Sequence, residues 1–373
     1  MTNNLLHTPE GVRDIYGKEY KEKISVECNV HQVINSYGYN DIQTPTFEYF
    51  DVFSKEIGTT PSKELYKFFD KENNTLVLRP DFTPSIARCA AKYFMEETSP
   101  VRFSYLGNTF TNTSNLQGKL KEVTQIGAEL INEPSVYGDA EIISLLVECL
   151  KSSGLKQFRI SIGNVSYFKG LCEEAGLDDE TENALRKCIS GKNYFAAVDL
   201  LDEREVQDPY RSKLLKVADS FGGLNSLDEA KALVKNKKSI DAIERLEKLY
   251  ELLKLYDVAE YVSFDLGILS KYNYYTGIVF RAYTFGVGNA VVTGGRYDNL
   301  LKTFGKNAAA IGFVIVIDEL IEALKGQDVV IKIPDEKITI FYDSADENDF
   351  KEKLHQAREK RKAGINVELI PSV

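Results

Sequence analysis

Three short runs constrain this chain more than any other stretch: residues 273–280 (NYYTGIVF), 291–300 (VVTGGRYDNL) and 311–321 (IGFVIVIDELI). Apolar, β-branched and aromatic runs separated by glycines predict adjacent strands of an antiparallel sheet. The pair Gly294-Gly295 before Arg296 would let backbone approach a ligand closely. The stretch from Ala259 to Ile321 therefore reads as a pocket wall around which the rest of the chain is arranged.

At 373 residues the chain exceeds what one core usually serves, so two or three structural units are expected. Its 43% hydrophobic and 27% charged residues are those of an ordinary globular protein. With 46 basic against 56 acidic residues, a net charge of -10 tilts against a surface built for nucleic acid and towards a protein partner. The five cysteines are scattered and only three histidines occur, which supports neither a disulfide framework nor a metal site and makes reducing cytoplasm the expected compartment. The start, MTNNLLHTPEGVRD, lacks a basic stretch followed by an apolar core, and no run reaches the ~18 apolar residues of a membrane span, so a soluble, unprocessed protein is expected.

Taken in order, Lys18 to Tyr37 show helical spacing closed by Gly38, followed by a strand from Asp41 to Thr44, Pro45, and a helix from Phe47 to Ile57. Leu65–Asp70 and Thr75–Arg79 flank a polar turn and read as a hairpin. Thr83 is placed to N-cap a helix opened by Pro84 at its first position. Residues 102–131 predict two long antiparallel strands, the second placing Gln125 and Glu129 on one face. A helix from Gly138 to Ser153 and a strand from Phe158 to Ile162 follow. Residues 165–258 read as all helical, and residues 326–373 as a short βαβ-like segment. No phosphate-binding glycine motif appears, and no cofactor is expected.

The paired tyrosines Tyr274 and Tyr275, the Gly-Gly-Arg-Tyr-Asp turn and the Gly312-Phe313 segment resemble, in order and spacing, the histidine-binding signatures of histidyl-tRNA synthetases, which are class II synthetases. The resemblance covers about residues 8–325. It implies an α+β fold: a class II antiparallel sheet flanked by helices over 1–164 and 259–325, a helical insertion over 165–258, and a truncated anticodon-domain-like segment over 326–373. Residues 18–50 resemble the class II dimerisation motif, which implies a homodimer. The resemblance also implies a histidine pocket in which Asp81, a shorter replacement for the family's Glu, and Thr83 bind the ammonium group. Gln125 would contact the main-chain end, Glu129 the imidazole, and Tyr274 or Tyr275 the remainder. An isolated QxxxE would be a solvated strand face; the co-occurrence of all these positions argues otherwise.

Three arginines of the family are absent, their positions held by Thr111, Ser270 and Glu319. Amino-acid activation builds negative charge at the α-phosphate, and loss of one donor aimed at such charge typically costs about 100- to 1,000-fold in rate. A histidine pocket without those arginines resembles the regulatory subunits of ATP phosphoribosyltransferase, especially over residues 116–131 (LQGKLKEVTQIGAELI). That resemblance implies a chain with no catalysis of its own. Such a chain joins a short-form catalytic subunit in a hetero-octamer, activates it in the first step of histidine biosynthesis, and transmits feedback inhibition by L-histidine, without tRNA or a membrane. The lost arginines leave the ligand's carboxylate short of a cation unless Lys271 or Arg296 compensates. A histidyl-tRNA synthetase with an altered site and a free-standing histidine sensor are the alternatives.

Overall fold

The computed structural model describes residues 6–54, 60–113, 120–269, 274–333 and 337–372. They fall into two compact units, one of residues 1–15 and 26–330 and one of residues 16–25 and 331–373.

The elements run in this order: α1 (Gly17–Ser36), β1 (Asn40–Asp41), β2 (Phe47–Tyr49), β3 (Lys67–Phe69), β4 (Thr75–Leu78), α2 (Thr83–Tyr93), β5 (Val101–Phe110), β6 (Glu122–Ile131), α3 (Val136–Ser152) and β7 (Phe158–Asn164). A helical stretch follows, with α4 (Val165–Glu174), α5 (Asp179–Ser190), α6 (Tyr194–Glu203), α7 (Tyr210–Lys216), the two-residue strand β8 (Phe221–Gly222), α8 (Leu224–Leu233) and α9 (Lys237–Leu255). The chain then returns to strands with β9 (Val262–Asp265), β10 (Ile278–Thr284), β11 (Val292–Arg296) and β12 (Ala310–Val316), closed by α10 (Ile317–Gly326). The second unit holds β13 (Ile338–Asp343), α11 (Glu347–Lys362) and β14 (Val367–Ser372). In it β13 and β14 pair in parallel, Asp346 caps α11 by accepting from Asn348 N at 2.8 Å, and the Tyr342 and Phe350 rings meet at 4.9 Å.

One sheet organises the larger unit, in the order β1-β5-β6-β12-β11-β10-β7-β9-β8. Its central pairings are antiparallel, as the sequence suggests. The pairs β1/β5 and β7/β9 are parallel, so the sheet is mixed. Parallel pairing needs a long crossover, and the helices between β7 and β9 supply one. Nor is that stretch wholly helical, since β8 pairs with β9 at the sheet's edge.

A further departure lies at Phe47–Ile57, expected as a helix. Phe47–Tyr49 is a strand paired with β4, followed by a single 3-10 turn, Phe50–Phe53; Ile57 lies outside the described residues. The physical reason is an alternation of period two: Glu48 is buried and receives Arg88 at 2.7 Å, whereas Phe47 and Tyr49 point outward. The strand expected at Asp41–Thr44 is likewise shorter, Asn40–Asp41.

Behind the sheet, α3 packs on β12 and β6, and α9 packs on α3 and α4. A buried ionic cluster ties these layers together. Asp139 of α3, fully buried, accepts from Arg296 Nε at 2.8 Å and Nη2 at 2.6 Å, and from Arg245 Nε of α9 at 2.6 Å. Arg296 also donates to the Glu133 carbonyl at 2.9 Å. Removing one partner of a buried pair strands the other charge, so Asp139→Ala is expected to lower unfolding free energy by roughly 3–5 kcal/mol in denaturant titration. A loss below about 1 kcal/mol, the level of an exposed pair, would contradict this.

Candidate functional site

Strand register builds the site's floor. Pairing sets Glu129 of β6 opposite Gly312 of β12, and Gly312 opposite Gly295 of β11, so these three form one row across the sheet. Period-two alternation then puts Val123 and Gln125 of β6, Tyr105 and Thr109 of β5, Val314 of β12 and Thr293 of β11 on the same face. These residues line a cavity of about 220 Å³, together with Asp81, Thr83, Thr111, Tyr274, Tyr275 and Tyr297. The space is smaller than the roughly 300–1,000 Å³ of drug-sized ligand sites and suits an amino-acid-sized molecule.

The glycines serve the wall as much as a ligand. A Cβ on Gly295 would lie 2.6 Å from the Tyr275 ring, and one on Gly312 would run into the Glu129 carboxylate. Gly295 and Gly312 thereby admit an aromatic ring and a carboxyl group onto the floor.

Glu129 is held in the cavity wall by two hydroxyl groups. It is fully buried; Thr83 Oγ1 donates to Oε1 at 2.9 Å, and the Tyr297 hydroxyl donates to Oε2. Burial pushes its carboxyl from 4.5 up to about 8 despite the opposing pull of the two hydroxyls, and nearby Asp81 adds to the rise. Burial and the same carboxyl hold the Tyr297 hydroxyl well above its ordinary value.

Thr83 is not the helix cap that its position suggests. It is the first residue of α2, with Phe82 as N-cap and Pro84 in the second helical position, and no side chain of the N-cap residue closes the turn. Asp81 Oδ1 accepts from the Thr83 backbone N–H at 3.3 Å, which frees the hydroxyl to reach across to β6.

The six expected pocket residues, Asp81, Thr83, Gln125, Glu129, Tyr274 and Tyr275, all line this one cavity. Gln125 Oε1 is buried and accepts no hydrogen bond. The Tyr274 and Tyr275 rings lie 4.4 Å apart, and Tyr274 meets Tyr297 edge-on at 5.9 Å. Tyr297 is the residue that sequence reasoning passed over, although it stands inside the Gly-Gly-Arg-Tyr-Asp turn. Its alternation with Gly295 was the available signal.

Of the three positions lacking arginine, Thr111 lines the cavity, Ser270 lies outside the described residues, and Glu319 accepts from Asn289 Nδ2 at 2.9 Å in the first turn of α10. Arg296, considered as a replacement cation, is spent on Asp139 and is nearly inaccessible; Lys271 lies outside the described residues. Among the described lining residues there is no Lys, Arg or His. Among the described residues no group of three His, Cys, Asp or Glu is placed to hold a metal ion, and no helix is long and apolar enough to cross a membrane.

Comparison with known proteins identifies the family. The sequence profile of the histidyl-tRNA synthetase family matches residues 11–320. An ATP phosphoribosyltransferase regulatory subunit from Ruminiclostridium cellulolyticum is 38% identical over 368 residues, spanning 99% of this chain and 87% of its own length. One from Clostridium kluyveri is 36% identical over 371 residues, spanning 99% and 94%. Among solved structures, a Bacillus halodurans protein described as an ATP phosphoribosyltransferase regulatory subunit/histidyl-tRNA synthetase aligns with a TM-score of 0.89 at 33% identity, over 98% of this chain and 93% of the other.

The raised carboxyl has a measurable consequence. Between about pH 4.5 and 8 the folded chain keeps a proton on Glu129 that the unfolded chain has released, so this group's contribution to stability falls as pH rises through that window. Glu129→Gln removes the titration and keeps the shape. Thermal unfolding of the two proteins across that window is expected to show the variant gaining on the wild type as pH rises; parallel curves would contradict the assignment.

Proposed function

Because this chain belongs to the family of ATP phosphoribosyltransferase regulatory subunits, built on the histidyl-tRNA synthetase-like fold, we propose that it is a non-catalytic subunit that senses L-histidine. It joins a short-form catalytic ATP phosphoribosyltransferase subunit in a cytoplasmic hetero-octamer, raises that partner's activity in the first step of histidine biosynthesis, and relays inhibition by histidine. Its working parts are a synthetase-like core over 1–164 and 259–325, a helical insertion over 165–258 and a C-terminal segment over 326–373.

The observation that carries this reading is the composition of the cavity wall. Every residue expected to contact histidine is on it, yet none of its described lining residues is cationic. Adenylate formation concentrates negative charge at a phosphorus centre and depends on positive donors aimed at it. A wall of hydroxyls, an amide and two carboxyl groups suits binding and release of an amino acid. The net charge of -10 likewise argues against tRNA as a partner.

Homodimerisation through the core is part of the proposal. The outer face of the β2-β4-β3 sheet carries Phe47, Tyr49, Leu76, Leu78 and Phe68, and three of these rings are exposed, an arrangement that marks an interaction surface. Light scattering is expected to give at least twice the mass of 42.0 kDa, and a stable monomer would contradict it.

The functional test mixes the purified chain with the short catalytic subunit. Activation without histidine and inhibition with it are expected, and Glu129→Ala is expected to abolish inhibition while preserving activation, since sensing and docking use different surfaces. Histidine-dependent ATP–pyrophosphate exchange well above background would instead favour an active synthetase with an altered site.

A further inference from the structure

We propose that a second cavity of this chain, between the turn that follows α2 and the turn that leads into β12, binds the phosphate group of a small phosphorylated molecule through Lys302 and Lys306. The cavity measures about 550 Å³, and Thr98, Asn132, Asp298, Lys302, Lys306 and Asn307 are among its lining residues. That size lies within the roughly 300–1,000 Å³ of small-molecule sites.

Lys306 carries the argument. It is 5% exposed, and its Nζ donates to the Met95 carbonyl at 3.0 Å and the Glu97 carbonyl at 2.7 Å. Fastening this turn does not require a charge, because Asn132 Nδ2 already donates to the Glu97 and Ser99 carbonyls at 2.8 and 2.9 Å. A lysine adds a positive charge and a third N–H, neither of which two neutral carbonyls use up. Burying a cation is costly without an anion beside it, and lysine is almost never fully buried unless paired.

The charges of the wall are unequally committed. Asp298 Oδ1 accepts from Arg296 Nη1 and from the Ala310 N–H, both at 3.2 Å, and Glu97 Oε1 accepts from the Ser99 N–H at 2.8 Å. Hydrogen bonding from Ser99, with a smaller pull from Lys306, holds the exposed Glu97 carboxyl below its ordinary range. Both carboxylates of the wall thus already have donors of their own. Lys302, exposed on the 3-10 turn Leu301–Phe304, donates to the neutral Asn299 Oδ1 at 2.9 Å. The two ammonium groups therefore have neutral hydrogen-bond partners and N–H donors to spare. A phosphate monoester brings close to two negative charges and three acceptor oxygens, enough for both lysines and for the Thr98 hydroxyl and Asn307 amide on the same wall. A single carboxylate brings one charge and two oxygens.

Calorimetric titration of the full chain near neutral pH and at physiological salt, where diffuse charge attraction is screened, tests this with ribose 5-phosphate, ribose and acetate. Ribose 5-phosphate is expected to bind more tightly than ribose or acetate by at least about tenfold. Lys302→Gln and Lys306→Gln are each expected to weaken it by roughly ten- to a hundredfold, the worth of a charge-assisted hydrogen bond. Lys302 is exposed, so its variant supplies the readout even where loss of the buried lysine disturbs folding. Lys235→Gln, at an exposed position of the insertion, is expected to change nothing. Phosphate binding that survives both cavity variants, or that falls equally with Lys235→Gln, would overturn the proposal. So would acetate binding as tightly as ribose 5-phosphate, or no binding of ribose 5-phosphate at millimolar concentration.

Discussion

A carboxyl group buried on a floor of glycines sets the terms for the rest of this structure. Glu129 sits on the inner face of a nine-stranded sheet, opposite Gly312 and in line with Gly295. An uncompensated carboxylate there would be very costly, so the surrounding elements are arranged to satisfy it. The start of α2 brings Thr83 to one oxygen, and the turn after β11 brings Tyr297 to the other. The same turn places Arg296 on the far side, where Asp139 and Arg245 fasten the sheet to α3 and α9. One short segment, residues 295–297, thereby joins the cavity floor, the ionic clamp behind the sheet and the hydroxyl that holds Glu129.

On the proposed reading, this arrangement separates recognition from catalysis. Hydroxyls, an amide oxygen and acidic groups can hold an amine and an imidazole through short hydrogen bonds, but they supply no positive field for a phosphoryl centre. A chain with such a site can couple ligand binding to the state of a partner, and that coupling requires only that histidine bind differently to the free and assembled forms. The fold is that of an enzyme family, and on the proposed reading the site keeps the binding half.

Much of this was legible in the sequence because it follows from local periodicity. The two long strands β5 and β6 and the same-face placement of Gln125 and Glu129 need only an alternation of period two. What escaped was set by contacts distant in the chain. Thr83 has a local option as a cap and a remote one at Glu129, and only the folded sheet brings the second within reach. Arg296 could be read as a pocket cation until its buried partner, Asp139, was placed 157 residues away. Phe47–Tyr49 is too short for periodicity to separate strand from helix without knowing that Glu48 faces inward to Arg88.

The central claim is that this cavity is where histidine acts, and the most direct measurement is a crystal structure of the chain grown with L-histidine. The account expects the ligand inside the cavity, an imidazole nitrogen within about 3.2 Å of a Glu129 oxygen and its main-chain end towards Asp81, Thr83 and Gln125. Histidine bound at another surface, with this cavity holding only water, would contradict it.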